Sequence, residues 1–125
     1  MARSVSPTLT DAELRLMKVI WERGPLTPAA VAAALEGEVT LAESTVRTML
    51  GILKEKGYLE AKPRGRAFLY HPLVTRYEAR RRVLRHVVSR FFDDSPEELV
   101  LNLLDDGELN ADEVARLRRL VRESE

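Results

Sequence analysis

The 125-residue chain contains no cysteine, and that one absence removes disulfides, thiolate zinc sites, iron–sulfur clusters and a cysteine nucleophile together. Histidine is scarce as well. His71 sits beside Pro72 and His86 lies among arginines, and no spaced carboxylate cluster completes a metal site around either. There is no glycine-rich phosphate loop. The acidic pairs Asp93-Asp94, Glu97-Glu98 and Asp105-Asp106 fall at helix starts and ends, where they read as solvation and dipole complement. These absences argue against an enzyme and predict no cofactor and no metal. No apolar run reaches the length of a membrane span, and Met1-Ala2-Arg3-Ser4-Val5-Ser6-Pro7 lacks the apolar core of a signal peptide. The expected location is the cytoplasm.

An excess of either charge is also missing, but only in the total. The 20 Lys+Arg and 20 Asp+Glu cancel, yet up to Phe92 there are 16 basic and 9 acidic side chains, and after it 4 and 11. A basic N-terminal part beside an acidic C-terminal part is the layout of a nucleic-acid-binding domain joined to something else. With 45% apolar and 32% charged residues, the chain has the composition of a folded globular protein.

Helix starts are unusually legible. Thr10-Asp11-Ala12-Glu13 has the form of a capping box; Leu14, Met17 and Trp21, widened by Leu16, Val19 and Ile20, predict an amphipathic helix that Gly24-Pro25 ends. Thr27-Pro28 opens a short alanine-rich helix with Val31 and Leu35 as its stripe. A third helix starts at about Thr40 or Ala42, with Thr40-Leu41-Ala42-Glu43 reading as a capping box, and stops at Gly57. Val46, Met49, Leu50 and Leu53 line one face of it, while Ser44, Arg47, Thr48, Gly51 and Glu55 point away. Two β-prone runs, 58–62 and 67–70, flank Pro63-Arg64-Gly65-Arg66 and predict a hairpin whose tip carries Lys62, Arg64 and Arg66.

Thr75-Arg76-Tyr77-Glu78 then opens a long helix to about Phe92, apolar along Tyr77, Leu84, Val87, Val88 and Phe91 and basic at Arg80, Arg81, Arg82 and Arg85. Ser95-Pro96-Glu97-Glu98 and Asn110-Ala111-Asp112-Glu113 open two further helices, with Leu109 and Val114 placed for a hydrophobic staple. Three short amphipathic helices make a thin core alone and predict apolar surface shared with a second copy, through Leu84, Val88, Phe91, Leu99, Leu103, Leu117, Leu120 and Val121. The expected fold class is mainly α with a small β-hairpin wing: a winged helix-turn-helix domain over 1–73 and a C-terminal three-helix dimerisation region over 74–125.

Three helices followed by a basic hairpin is the order of a winged helix. A helix fills the major groove of DNA, and a neighbouring hairpin reaches phosphates or the minor groove. In that arrangement Ser44, Thr45, Arg47 and Thr48 face base edges, Arg47 being best suited to a bidentate contact with guanine. Lys54, Lys56, Lys62, Arg64 and Arg66 hold phosphates. The alternative is a winged-helix protein-interaction module without DNA binding, a class that typically lacks basic residues on the third helix and wing; this chain keeps both.

Four stretches carry a resemblance: Leu9 to Leu14 with Met17 to Trp21, Ser44 to Leu50 with Leu53 to Gly57, Gly65 to Tyr70, and Leu99 to Leu104. In this order and spacing they resemble the penicillinase-repressor family of bacterial winged-helix regulators, over nearly the whole chain. The resemblance implies a homodimer that represses β-lactamase, penicillin-binding-protein or related genes from a dyad operator. It also implies induction through a membrane-bound metalloprotease sensor, leading to repressor cleavage at an Asn-Phe bond. The matching bond here is Asn102-Leu103, a departure in its second residue. A copper-responsive branch of that family uses C-terminal cysteines, which this chain lacks.

Overall fold

The Thr10 hydroxyl accepts a hydrogen bond from the Glu13 amide at 3.1 Å, and the Glu13 carboxylate accepts from the Thr10 amide at 2.8 Å, so the first helix begins where its capping box dictates. The structure, a computed structural model, describes residues 8–124. The elements run α1 (Asp11–Arg23), α2 (Pro28–Leu35), α3 (Glu43–Glu55), β1 (Leu59–Arg64), β2 (Ala67–Pro72), α4 (Arg76–Phe91), α5 (Pro96–Asp105) and α6 (Ala111–Glu123). By compactness the chain divides into two units, between His86 and Val87.

In the first unit α2 starts as expected, the Thr27 hydroxyl accepting from the Ala30 amide at 3.2 Å ahead of Pro28. The start of α3 takes the later of the two positions that the sequence leaves open, and the capping box at Thr40 does not form. Ala42 is the N-cap and makes no side-chain bond, so Thr40 caps nothing. The reason is tertiary: Val39 and Leu41 pack against the core from the preceding connection, which keeps that segment out of the helix. The hairpin is longer than its β-prone runs suggest. Pro63 and Arg64 belong to β1, and the turn is only Gly65-Arg66, with Gly65 at φ 61°, the first-position glycine of a tight hairpin turn. Counting outward from that turn, Pro63 opposite Phe68 and Pro72 opposite Leu59 fall at non-hydrogen-bonded pairs, where a missing N–H costs the ladder nothing. On the outer edge of β2, Leu26 and Tyr70 exchange backbone bonds of 2.9 and 3.3 Å, tying the connection after α1 to the hairpin.

The core of this unit is Leu16, Met17 and Ile20 of α1, Val31 and Leu35 of α2, Val46, Leu50 and Leu53 of α3, with Tyr58, Leu59, Tyr70, Val74 and Ala79 closing it. Trp21 donates its indole N–H to the Val74 carbonyl at 2.8 Å, fixing the chain as it leaves the hairpin. The sequence places the domain boundary near His71 to Val74, ahead of α4; the compact first unit includes the first turns of α4, since Val74 and Ala79 are buried in its core. Within these turns Arg82 stacks on Tyr58, its guanidinium 4.9 Å from the ring centre. The bulky side chains Tyr77 and Leu84 lie instead on the exposed side.

The second unit holds the end of α4, α5 and α6. Its caps are sound: the Ser95 hydroxyl accepts from the Glu98 amide, and Asn110 and Glu113 form a reciprocal capping box. The connection between α4 and α5 places Asp93 and Asp94 at φ 48° and 62°, a left-handed conformation that Asp tolerates better than most residues. No residue of α5 or α6 is buried.

Candidate nucleic-acid interface

The inward set Val46, Leu50 and Leu53 is buried, and the 100° step of a helix then turns Ser44, Thr45, Arg47 and Thr48 out. All four are exposed. Thr48 donates its hydroxyl to the Ser44 carbonyl at 3.1 Å, and Arg47 Nη2 donates to Glu43 Oε2 at 3.1 Å. Both partners of that ion pair are about half exposed, so water screens it and it adds little to the stability of the fold. Gly51 lies on the same face, and a methyl group placed there would meet nothing within 4 Å.

The tight Gly65-Arg66 turn carries Arg64 and Arg66 out from the body of the unit, both exposed. Among the described residues neither has an ion-pair partner, whereas Lys62 lies 3.6 Å from Glu60. A groove of about 590 Å³ joins the hairpin to the helices. It is lined by Thr27, Pro28 and Ala29 at the start of α2, Glu43 and Arg47 on the first turns of α3, and Arg64, Arg66, Ala67, Phe68 and Tyr70 of the hairpin. Three arginines thus converge on one concave strip with a half-exposed aromatic ring, Phe68, among them. Such a surface is suited to a polyanion: guanidinium groups hold phosphate oxygens or purine edges in pairs of hydrogen bonds.

The expected residues separate into groups. Arg47, Arg64 and Arg66 meet in the groove. Ser44, Thr45 and Thr48 share the exposed face of α3, and Lys54 and Lys62 are exposed cations outside the groove lining. Lys56 is a correction. Its side chain is 7% exposed, and its ammonium donates to Glu13 Oε1 at 2.6 Å and to the Thr8 carbonyl at 2.9 Å, so it does not belong to the basic surface. Burial alone would push the Glu13 carboxyl up; the hydrogen bonds from Lys56 and the Thr10 amide outweigh it and hold the group below its ordinary value. Sequence reasoning could not find this pair, because its members are 43 positions apart. It also missed Glu43, whose four-residue spacing to Arg47 was available as a signal, and the start of α2 as a groove wall.

The residues of the expected partner surface, Leu84, Phe91, Leu103, Leu117, Leu120 and Val121, are exposed, and Val88 and Leu99 half-buried. Asn102 and Leu103 lie within α5, the Asn102 side-chain Nδ2 donating to the Glu98 carbonyl at 3.0 Å. Among the described residues no cluster of His, Asp or Glu could hold a metal ion, and no helix is long and apolar enough to cross a membrane.

Comparison with known proteins agrees with this geometry. The penicillinase repressor family matches residues 9–123. A penicillinase repressor from Bacillus licheniformis is 31% identical over 117 residues, covering 94% of this chain and 91% of its own. The methicillin resistance regulatory protein MecI of Staphylococcus aureus is 22% identical over 113 residues, covering 90% of this chain and 92% of its own. Among solved structures, the DNA binding domain of the repressor BlaI matches with a TM-score of 0.52 and 34% identity, over 62% of this chain and 93% of that one. A match that runs from before α1 to the end of α6, with a relative aligned over nearly the whole of both chains, places this protein in the penicillinase repressor family.

Proposed function

We propose that this chain is a DNA-binding transcriptional repressor of the cytoplasm that acts as a homodimer on a palindromic operator. The observation that carries the reading is the convergence of Arg47, Arg64 and Arg66 on the groove between α3 and the hairpin, beside the polar face of α3. In the complex α3 enters the major groove, with Ser44, Thr45, Arg47 and Thr48 at base edges; Arg64, Arg66, Lys62 and Lys54 hold phosphates. The relatives support this through their names, repressors of penicillinase and regulators of methicillin resistance. The genes proposed for control are of that kind, encoding β-lactamases, penicillin-binding proteins or related products, and repression occurs by covering a promoter.

The dimer is proposed from the second unit. Phe91, Leu103, Leu117, Leu120 and Val121 stay exposed in one chain, more apolar surface than isolated surface residues account for, and a second copy would cover it symmetrically. Induction is proposed to pass through a membrane-bound metalloprotease sensor and to end in scission of Asn102-Leu103. Because that bond lies inside α5, cutting requires a turn of the helix to unwind, and a helix with no buried residue resists this least.

The deciding experiment is a gel shift of the full chain on genomic fragments at two salt concentrations. Retention that weakens steeply with salt supports phosphate contact; absence of binding in dilute buffer, or binding indifferent to salt, leaves the protein-interaction module as the reading. Sedimentation on the same sample tests the dimer, and mass spectrometry after β-lactam exposure of the producing cell tests the scission.

A further inference from the structure

Among the described residues Glu43 is the one carboxylate in the lining of a groove otherwise furnished with three arginines, and it stands where the proposed ligand is a polyanion. An acid there repels phosphate. Its partner is also distinctive: Arg64 and Arg66 have no ion pair among the described residues, while the guanidinium of Arg47, the arginine on the helix itself, is held by Glu43 at 3.1 Å. The order, with the acid four residues ahead of the base, is the one in which such pairs form best along a helix.

Resting on the DNA-binding reading above, we propose that Glu43 is a positioning residue for specificity, fixing the Arg47 guanidinium for guanine. Arginine has five N–H donors, and the observed bond uses one of them. Enough remain for both acceptors of a guanine edge, O6 and N7. A free arginine loses several rotors when it docks on a base, and it can swing instead to the nearest phosphate, a contact that carries no sequence information. Tethered to Glu43, it has fewer rotors to lose and a carboxylate that disfavours the phosphate alternative. Glu43 therefore trades general affinity for discrimination, and its removal changes the two in opposite directions.

The test selects duplexes from a random-sequence pool with the full chain, for wild type, Glu43→Gln, Glu43→Ala, Arg47→Ala and the double variant Glu43→Ala/Arg47→Ala, and measures each protein on one unselected duplex as well. An exposed pair contributes little to stability, so the variants keep their thermal transition. We expect both Glu43 variants to bind the unselected duplex about twofold more tightly, one repulsive charge having gone. Their preference for guanine at the Arg47 position should fall about fivefold, the effect of freeing one rotor-rich side chain. On the Arg47→Ala background, Glu43→Ala should leave base preference unchanged. Unaltered preference in the single variants overturns the proposal, leaving Glu43 a surface acid; a further loss on the Arg47→Ala background overturns it too, since Glu43 then reads a base itself. A wild-type protein that enriches no sequence would instead remove the DNA-binding reading, and this inference with it.

Discussion

The two units of this chain are built from equally well-marked helices but stabilised in different ways. In the first, helices and hairpin bury a continuous set of side chains, ten of them with less than 2% of their surface exposed. In the second, α5 and α6 are capped by Ser95 and by the Asn110–Glu113 box, and yet neither buries a residue. Local capping decides where a helix starts, at roughly 1 kcal/mol per cap; it does not decide whether the helix persists, because short isolated helices are marginal in water. The first unit closes its apolar surface within itself, and the second leaves Leu103, Leu117, Leu120 and Val121 exposed. The division suits the proposed function, in which the first unit reads DNA and the second joins two readers.

The largest expected effect tests that contrast directly. Leu50→Ala empties part of a closed core and should destabilise the first unit by about 3 kcal/mol, measured by urea unfolding of the full chain. Leu103→Asp should leave that transition in place and yield monomers in sedimentation; an intact dimer would break the comparison. Next in size is the buried pair inside the first unit. Glu13→Gln leaves the Lys56 ammonium without its counter-charge and should cost roughly 3 kcal/mol at neutral pH. Since the folded state holds the Glu13 carboxyl below its ordinary value near 4.5, wild type should enjoy this stability above that value and lose it as the pH falls further, through the lowered folded value. The difference between wild type and Glu13→Gln should accordingly shrink in acid, in the transition of the first unit alone.

Smaller effects sharpen the division of labour on the basic surface. Arg47→Ala should weaken binding to a selected operator by about 1 to 3 kcal/mol and relax one base position, as read by competition with single-base variants. Arg64→Ala should weaken all duplexes evenly and lower the salt slope by about 0.9. The smallest change returns to the second unit. Asp94→Gly removes a side chain from a left-handed position and should stabilise that connection by less than about 1 kcal/mol, visible as slowed amide exchange around it.

The sequence disclosed most of the architecture because its signals are local. Thr10, Thr27, Ser95 and Asn110 each cap the helix that their spacing predicts, and the basic hairpin lies where its β-prone runs require. Between the two starts open for α3, Thr40 and Ala42, the capping motif at Thr40 gave way to a tertiary demand, the packing of Val39 and Leu41. The helical period of α4 likewise identified an apolar side, with Leu84 expected on a surface outside its own core, but not that Tyr77 would be exposed as well.

Sequence alone therefore determined element order, the helix starts other than that of α3, and the polar face of α3, since each depends on side chains within a turn or two of one another. Only the tertiary structure decided which cations serve the surface. It drew Lys56 inward to Glu13 across 43 positions and brought Arg64 and Arg66 to Arg47, because what a charge does depends on what surrounds it after folding, and distance along the chain does not encode that.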